Sequence, residues 1–484
     1  MPTRRTPMST TRLLRRKPVD TLIAEAGGTG AGHLRRSIGL WQLSAIGIGA
    51  TVGTGIFFVL TTSVPVAGPA VVMSFVIAAV TAGLTALCYA ELASAIPVAG
   101  SSYSYAYATM GEAVAFGVGV CLLMEYGVSA SAIAVTWGQY LNQFADLAFG
   151  LHLPAALTAP PGEGGVLNLP AVVLVALVTV LLIRGIGESA KVNAVMVAIK
   201  LAILVLFVAI ALTGFQAGNF TPFAPKGWEG VQVAASTIFF SFIGLDAVST
   251  AGEEVREPRR TLPLAILISL TVVTVLYIAV AVAAIGAQPW EKFEGQEAGL
   301  AQILQDVTGQ SWPALVFAGG AIVSIFSITL VVIYGQTRIL FAMGRDGLLP
   351  RPFTRVSPRT GTPVWNTVVV GVAVALLAAV FPLRLLADMT SMGTLVAFTA
   401  VSLGIIVLRR TRPDLPRGFK VPFYPVTPLL SAGFCVYLVT KLHRDTFIAF
   451  AIALALAAVL YFGYSVKHSR LATGRNEEEQ AGRS

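Results

Sequence analysis

Charge is what this chain has least of. Only 12% of its 484 residues are charged, against 55% hydrophobic, and the mean hydropathy is +0.78. A soluble domain carries about 25% charged residues, so a water-soluble globular enzyme is excluded as a class. Cysteine is scarce too. Cys88, Cys121 and Cys435 fall in or near apolar segments and form no Cys-x-x-Cys pair, so there is no disulfide framework. His33, His152, His443 and His468 lie outside the apolar segments and form no His-Glu-x-x-His, which leaves a zinc-dependent membrane hydrolase without ligands. Gly-x-x-x-x-Gly-Lys-Ser/Thr and Gly-x-Ser-x-Gly are both missing. The chain therefore has no phosphate-binding loop to hold ATP and no nucleophile elbow. Residues 1–36 lack the apolar core of a signal peptide and read as a basic cytoplasmic tail.

What remains is a polytopic membrane protein. Twelve apolar segments meet the roughly 20-residue spanning requirement. They cover about 41–64, 68–96, 112–145, 166–184, 190–214, 231–252, 263–286, 312–342, 365–381, 385–408, 426–441 and 446–465. The ninth and eleventh are short. Of the 33 Lys and Arg, only Lys226, Lys292, Arg384, Lys441 and Arg444 fall on one side, and Lys200 falls within a span. Positive-inside bias of this kind predicts cytoplasmic N- and C-termini. It accounts for the net charge of +9 through anionic lipid headgroups rather than nucleic acid. The C-terminal Glu477-Glu478-Glu479 reads as a solvated end.

Two of the spans are interrupted by small residues. The first reads Ile46-Gly47-Ile48-Gly49-Ala50-Thr51-Val52-Gly53-Thr54-Gly55-Ile56-Phe57, and the sixth reads Phe239-Phe240-Ser241-Phe242-Ile243-Gly244-Leu245-Asp246. Glycine costs about 1 kcal/mol relative to Ala inside a helix. A helix broken at membrane depth leaves backbone groups that lipid cannot satisfy, so a break persists where it lines a cavity or binds something. Paired breaks at matching positions of two repeats point to the binding site of a secondary transporter. After the first break, a new half-helix presents free N–H groups and the positive end of its dipole, which suits a carboxylate. Carbonyls freed in the sixth span suit an ammonium. Gly49-x-x-x-Gly53 can also be read as a close helix-packing face.

Three ionisable residues inside spans stand out. Lys200, in Val197-Ala198-Ile199-Lys200-Leu201, is too central to be interfacial. A midplane Lys costs roughly 2.5–3.5 kcal/mol on insertion scales, so it reads as the carrier or gate of a coupled proton, with a fixed ion pair as the bland alternative. Glu125 is either a protonatable gate or a neutral acid bonded to a neighbouring helix. Asp246 is either a coupling residue or a structural carboxylate. Glu253 and Glu254, just before Arg256, read as interfacial, and Glu91 reads as a structural residue near a helix end.

Ile48-Gly49-Ala50-Thr51-Val52-Gly53-Thr54-Gly55-Ile56-Phe57 resembles the first-helix signature of the amino acid–polyamine–organocation superfamily. Cys88-Tyr89-Ala90-Glu91-Leu92, the Pro97–Tyr107 loop and Phe242-Ile243-Gly244-Leu245-Asp246-Ala247-Val248-Ser249-Thr250 narrow the likeness. So do Tyr334-Gly335-Gln336-Thr337-Arg338 and Ala342-Met343-Gly344-Arg345-Asp346-Gly347-Leu348-Leu349-Pro350. Together they resemble the bacterial branch of the cationic amino acid transporter family, over roughly residues 17–465. The resemblance implies an all-α integral membrane fold with twelve transmembrane helices. That fold is a LeuT-type five-plus-five inverted repeat with helices one and six broken, plus two C-terminal helices. The repeats would be 37–214 and 231–408, followed by 426–465 and a tail at 466–484.

The resemblance further implies carboxylate binding at Gly53, Thr54 and Gly55, and ammonium binding by carbonyls of Thr51, Phe240, Ser241 and Ile243. Phe240 would gate the site from outside. Lys200, beside Gly49, would occupy the place of the coupling sodium in sodium-coupled relatives, so the coupling ion is H+ rather than Na+. No resident cofactor or metal is expected. Val332 would limit pocket depth, which points to a small or medium neutral amino acid such as alanine rather than arginine or lysine. The expected activity is proton-coupled amino acid import by alternating access in a bacterial inner membrane, not an enzymatic reaction. Exchange and cationic substrates stand as alternatives. A non-transporting receptor would need a large terminal signalling domain, and a channel would need polar pore rings; the chain has neither. A small membrane subunit is left open by the sequence.

Overall fold

The computed structural model describes residues 15–19, 38–98, 101–161, 163–185, 190–250, 254–358 and 360–473. Most of the N-terminal tail, Glu253 and Glu477-Glu478-Glu479 lie outside the described residues. Among the described residues the regular structure is helical. The only extended pairings are isolated bridges, of which Ile38 with Val255 ties the entry of the first helix to the exit of the sixth span.

The first span is two half-helices, α1 (Leu40–Thr51) and α2 (Gly55–Ala67), separated by Val52–Thr54. The chain turns at Gly68, with φ 66°, into α3 (Val71–Ala95). Next come α4 (Ser101–Thr109), α5 (Glu112–Phe149), α6 (Leu169–Ile183) and α7 (Ala190–Ala211). The sixth span is α8 (Gly227–Ile238), a 3-10 turn at Phe239–Phe242 and a short helix, α9 (Ala247–Thr250). Then follow α10 (Pro258–Ala287), α11 (Gly299–Thr308), α12 (Ser311–Arg345), α13 (Val364–Val380), α14 (Leu383–Thr411), α15 (Val426–Thr440) and α16 (Arg444–Leu460).

All twelve expected segments are therefore helical, two of them interrupted. Eight helical stretches are long and apolar enough to cross a bilayer, and α6, α13 and α15 are shorter apolar helices. At 1.5 Å per residue, 15 to 17 residues span about 22–26 Å, just under the roughly 30 Å hydrocarbon core. Val173, Leu177 and Val180 on α6 and Val372 and Leu376 on α13 are exposed, as side chains facing lipid would be.

Two helices occupy segments that read as loops. α4 begins inside the Pro97–Tyr107 loop and runs to Thr109, and all nine of its residues are buried. Its serines and tyrosines carry no apolar period, so burial comes from partners elsewhere: Tyr103 donates to Asp346 at 2.7 Å and Tyr107 to Glu112 at 3.3 Å. α11 buries Leu300, Ile303 and Leu304, a one-face helical pattern.

Two apolar clusters divide the interior. One is drawn mainly from α1, α2, α3, α7, α8, α10 and α11. The other is drawn mainly from α4, α5, α6, α12, α13 and α14. At the basic-loop end the described segments 15–19 and 466–473 pack on α4, α5 and the turn after α12. Lys17 lies 3.7 Å from Asp346, Ser469 donates to Glu112 at 2.5 Å, and the Arg470 N–H donates to the Asp346 carbonyl at 3.0 Å. Glu91 is buried and clamped by Arg409 at 2.7 and 2.5 Å, by Arg417 at 3.3 Å and by the Val421 N–H at 2.7 Å. It fastens α3 to the segment joining α14 and α15.

Candidate functional site

The two breaks pack directly on each other. A Cβ built on Gly55 would lie 2.6 Å from Ser241 Cα, and one on Gly244 would lie 2.6 Å from the Ala50 carbonyl oxygen. Only glycine permits both approaches. Gly244 also takes φ 93°, a conformation L side chains rarely adopt. The crossing places the opening of α2 against the 3-10 turn of the sixth span.

Each break frees different backbone groups. Val52 turns out of the helix with ψ 64°, and α2 starts afresh at Gly55. The first N–H groups of a helix have no intrahelical acceptor, so Thr54, Gly55 and Ile56 open α2 as a set of donors. In the sixth span, Ile243 leaves the turn extended, at φ −65° and ψ 147°, and its carbonyl no longer points along a helix axis. The Thr54 and Ser241 hydroxyls are buried beside the crossing without hydrogen-bond partners. A buried hydroxyl is normally satisfied, so this pair offers polar capacity that the protein itself does not use.

Tyr277 of α10 closes the crossing from behind. Its hydroxyl lies 2.8 Å from the Thr51 carbonyl and 3.0 Å from the Ser241 carbonyl. The Thr51 carbonyl also accepts the Gly53 N–H at 2.6 Å, and it shares the single phenol proton with the Ser241 carbonyl. Sequence reasoning did not single out Tyr277. The signal was a lone phenol deep in an apolar span, which when buried needs a partner.

Lys200 of α7 is 3% exposed. Its Nζ donates to the Gly49 carbonyl at 3.0 Å and lies 3.4 Å from the Val52 carbonyl. These carbonyls end α1, where the helix dipole is negative and a cation is favoured. Gly49 makes the approach possible, because a Cβ there would lie 2.3 Å from Val197 Cγ2, one turn before Lys200. Phe240 is buried against Phe58 of α2, edge to face with centroids 5.2 Å apart.

Gly49, Thr51, Gly53, Thr54, Gly55, Lys200, Phe240, Ser241 and Ile243 thus surround one crossing. Three other sequence candidates stand apart from it. Val332 on α12 is partly buried at the seam of the two apolar clusters. Asp246 is fully buried on the basic-loop side of the second break, where Ser101 of α4 donates to its Oδ2 at 2.9 Å and its Oδ1 is unpartnered. Glu125 on α5 is buried beside Gly393 of α14 with both carboxyl oxygens unpartnered, and it lies within electrostatic reach of Asp246. Among the described residues no cluster of His, Cys, Asp and Glu could hold a metal ion, and the three cysteines are free and buried.

Comparison with known proteins agrees with this architecture. The amino acid permease family model matches residues 38–452. The chain is 43% identical to the branched-chain amino acid permease BcaP of Bacillus subtilis over 463 residues, covering 95% of this chain and 99% of that protein. It is 42% identical to the methylthioribose transporter of the same organism, with the same coverage. The vacuolar cationic amino acid transporter 4 of Arabidopsis thaliana is 37% identical over 83% of this chain and 68% of its own length. With its two crossed breaks and its helices long enough to span a bilayer, the chain belongs to the amino acid permease family of the amino acid–polyamine–organocation superfamily, membrane transporters and not enzymes.

Proposed function

We propose that this protein is a proton-coupled importer of neutral aliphatic amino acids, working by alternating access. The observation that carries the coupling is Lys200 seated on the Gly49 and Val52 carbonyls. A charged ammonium there stabilises the end of α1 and the geometry of the first break. Loss of its proton weakens that hold at the place where the substrate binds. The substrate carboxylate would lie at Gly53, Thr54 and Gly55, taking the Thr54 and Gly55 N–H groups and the Thr54 hydroxyl, since the Gly53 N–H is held by the Thr51 carbonyl. The ammonium would meet the turn carbonyls of Phe240, Ser241 and Ile243. The Thr51 carbonyl would join them when the Tyr277 proton is given to Ser241. Phe240 would close the site against Phe58, and Glu125 and Asp246 would pass the proton toward the basic-loop end. Helices of 37–214 and 231–408 would form the two repeats, with 426–465 outside them. Both termini would face the cytoplasm of a cell whose plasma membrane holds the protein.

Val332 supports an apolar side-chain pocket. The names of the two branched-chain permeases among the relatives, 43% and 31% identical, favour leucine, isoleucine or valine alongside alanine. The equally similar methylthioribose transporter makes a ribose derivative the competitor to exclude. Methylthioribose has neither ammonium nor carboxylate, so the paired donors and acceptors at the crossing favour a zwitterion.

The experiment is uptake of labelled leucine and alanine into proteoliposomes, with and without an inward proton gradient, for wild type and Lys200→Met. Thermal-shift binding of the amino acid serves as the control for folding. Gradient-driven accumulation by wild type alone, with binding retained in Lys200→Met, supports the proposal. Exchange by both proteins without regard to the gradient would make the protein an exchanger. Competition by methylthioribose but not by leucine would overturn the substrate class.

A further inference from the structure

At the end of the molecule opposite the basic loops, one buried carboxylate reaches from α14 to the half-helix that leads into the second break. Asp388 is 0% exposed. Its Oδ1 accepts from Thr237 Oγ1 at 2.8 Å. Its Oδ2 lies 2.7 Å from His443 Nδ1 and 3.6 Å from the Arg384 guanidinium. Arg384 is also 2.7 Å from Asp445. Thr237 is the second-last residue of α8, immediately ahead of the Phe239–Phe242 turn. His443 sits in the short connection between α15 and α16, with 37% of its side chain exposed. A solvent-facing imidazole is thus linked through a single carboxylate to the last turn of α8.

We propose that Asp388 is a positioning residue that latches α8 in its seated position, with His443 bracing the carboxylate from the solvent side. The proposal rests on the alternating-access reading, in which α8 must leave this seat to open the site. If α8 swings away, Asp388 loses the Thr237 hydroxyl and stays buried with one oxygen unpaired, and a buried acceptor without a donor opposes that movement. With a proton on Nδ1, His443 gives Asp388 Oδ2 a hydrogen bond and holds the carboxylate toward Thr237. The charged groups facing His443 are Asp388 and Arg384 of α14 and Asp445 of α16, with Lys441 and Arg444 beside it in the chain. From α8 comes only the Thr237 hydroxyl. Arg384 divides its charge between Asp388 and Asp445, which leaves His443 as the close partner of the second Asp388 oxygen.

The latch is read by thiol labelling, which needs no transport. Ser236→Cys puts a reporter on the last turn of α8, buried when the helix is seated, in a chain whose own three cysteines are buried. Labelling by a membrane-impermeant reagent is measured in proteoliposomes between pH 5 and 8. Rates are taken as the ratio of variant to reference at each pH, so that the titration of the thiol itself cancels. Thr237→Val and Asp388→Asn should each raise the ratio roughly three- to tenfold at pH 6. His443→Gln should raise it less, roughly two- to threefold. Ratios that stay at one for every variant would overturn the proposal. If Asp388→Asn fails to fold, Thr237→Val and His443→Gln decide alone. Uptake is measured in the same vesicles. Ratios that rise as expected in the Ser236→Cys background, with no amino acid accumulated by wild type, sink the transport reading and leave the latch. Wild type that accumulates while every ratio stays at one sinks the latch alone.

Discussion

The two breaks are not copies of each other. The second is imposed by packing: Gly244 has φ 93° and presses on the Ala50 carbonyl, so the backbone there has no other course. The first is looser. A Cβ on Gly53 would meet nothing nearer than 3.7 Å, and Gly53 needs no positive φ. Two residues later the situation reverses, because Gly55 lies against Ser241. One half of the crossing is thus fixed by the protein, and the other has a position that the protein alone does not require to be glycine. The contrast separates glycines that build the site from one that leaves room in it.

The largest effect should come from filling the second break. Gly244→Val would put a β-branched side chain at a positive φ, against a backbone oxygen that cannot move aside. Backbone strain of about 1–2 kcal/mol adds to overpacking of about 1–3 kcal/mol. The expected outcome is loss of monodisperse protein, or an unfolding midpoint far below wild type. Unfolding can be followed by a thiol-reactive dye that reports exposure of Cys88, Cys121 and Cys435, all buried in the folded state. Gly55→Ala comes next. Its methyl meets Ser241 Cα, so the half-helices must separate, and about 1–3 kcal/mol of destabilisation is expected in the same assay. An unchanged midpoint for either variant would mean that the crossing is not held by close approach.

Tyr277→Phe probes the staple rather than the glycines. It removes one hydroxyl while keeping the ring, which packs edge to face on Phe75 and Phe242. The Thr51 carbonyl keeps its bond from Gly53, while the Ser241 carbonyl loses the phenol. A cost of about 1–3 kcal/mol is expected for a buried group left unsatisfied. Uptake should fall along with stability, since the same carbonyls shape the proposed ammonium subsite. Wild-type uptake at wild-type stability would show that the two breaks hold their geometry without α10.

Much of this arrangement was legible in the chain because it is written locally. Gly53-Thr54-Gly55 and Ile243-Gly244 mark interruptions inside apolar runs, and the runs themselves set the helix count. The place of Lys200 beside the first helix was legible only through the family resemblance. Tyr277 was not legible, because its partners lie 226 and 36 residues away and one phenol in an apolar span has no periodicity to betray its role. Asp388 stands at the start of the span 385–408, where a carboxylate reads as interfacial, and its partners lie 151 and 55 residues away. The buried helix α4 was hidden by its composition. Serines and tyrosines read as a polar loop unless Asp346 and Glu112 are known to receive them.

Gly53→Ala should have the smallest effect on stability, and it tests the comparison most sharply. The added methyl meets only ordinary van der Waals neighbours, the Ala50 and Thr51 carbonyl oxygens at 3.7 and 3.8 Å. The ligand-free unfolding midpoint should move by no more than about 0.5 kcal/mol equivalent. If the N–H groups after Gly53 receive a carboxylate, however, the methyl stands where that group must approach. The apparent KM for uptake should then rise about tenfold or more, equivalent to at least 1.4 kcal/mol of lost binding, with the folded fraction unchanged. Stability lost together with uptake would return Gly53 to the structural glycines and erase the difference between the breaks. Stability and KM both unchanged would move the carboxylate subsite away from the opening of α2. Only the split between the two measurements marks Gly53 as a glycine kept for the ligand.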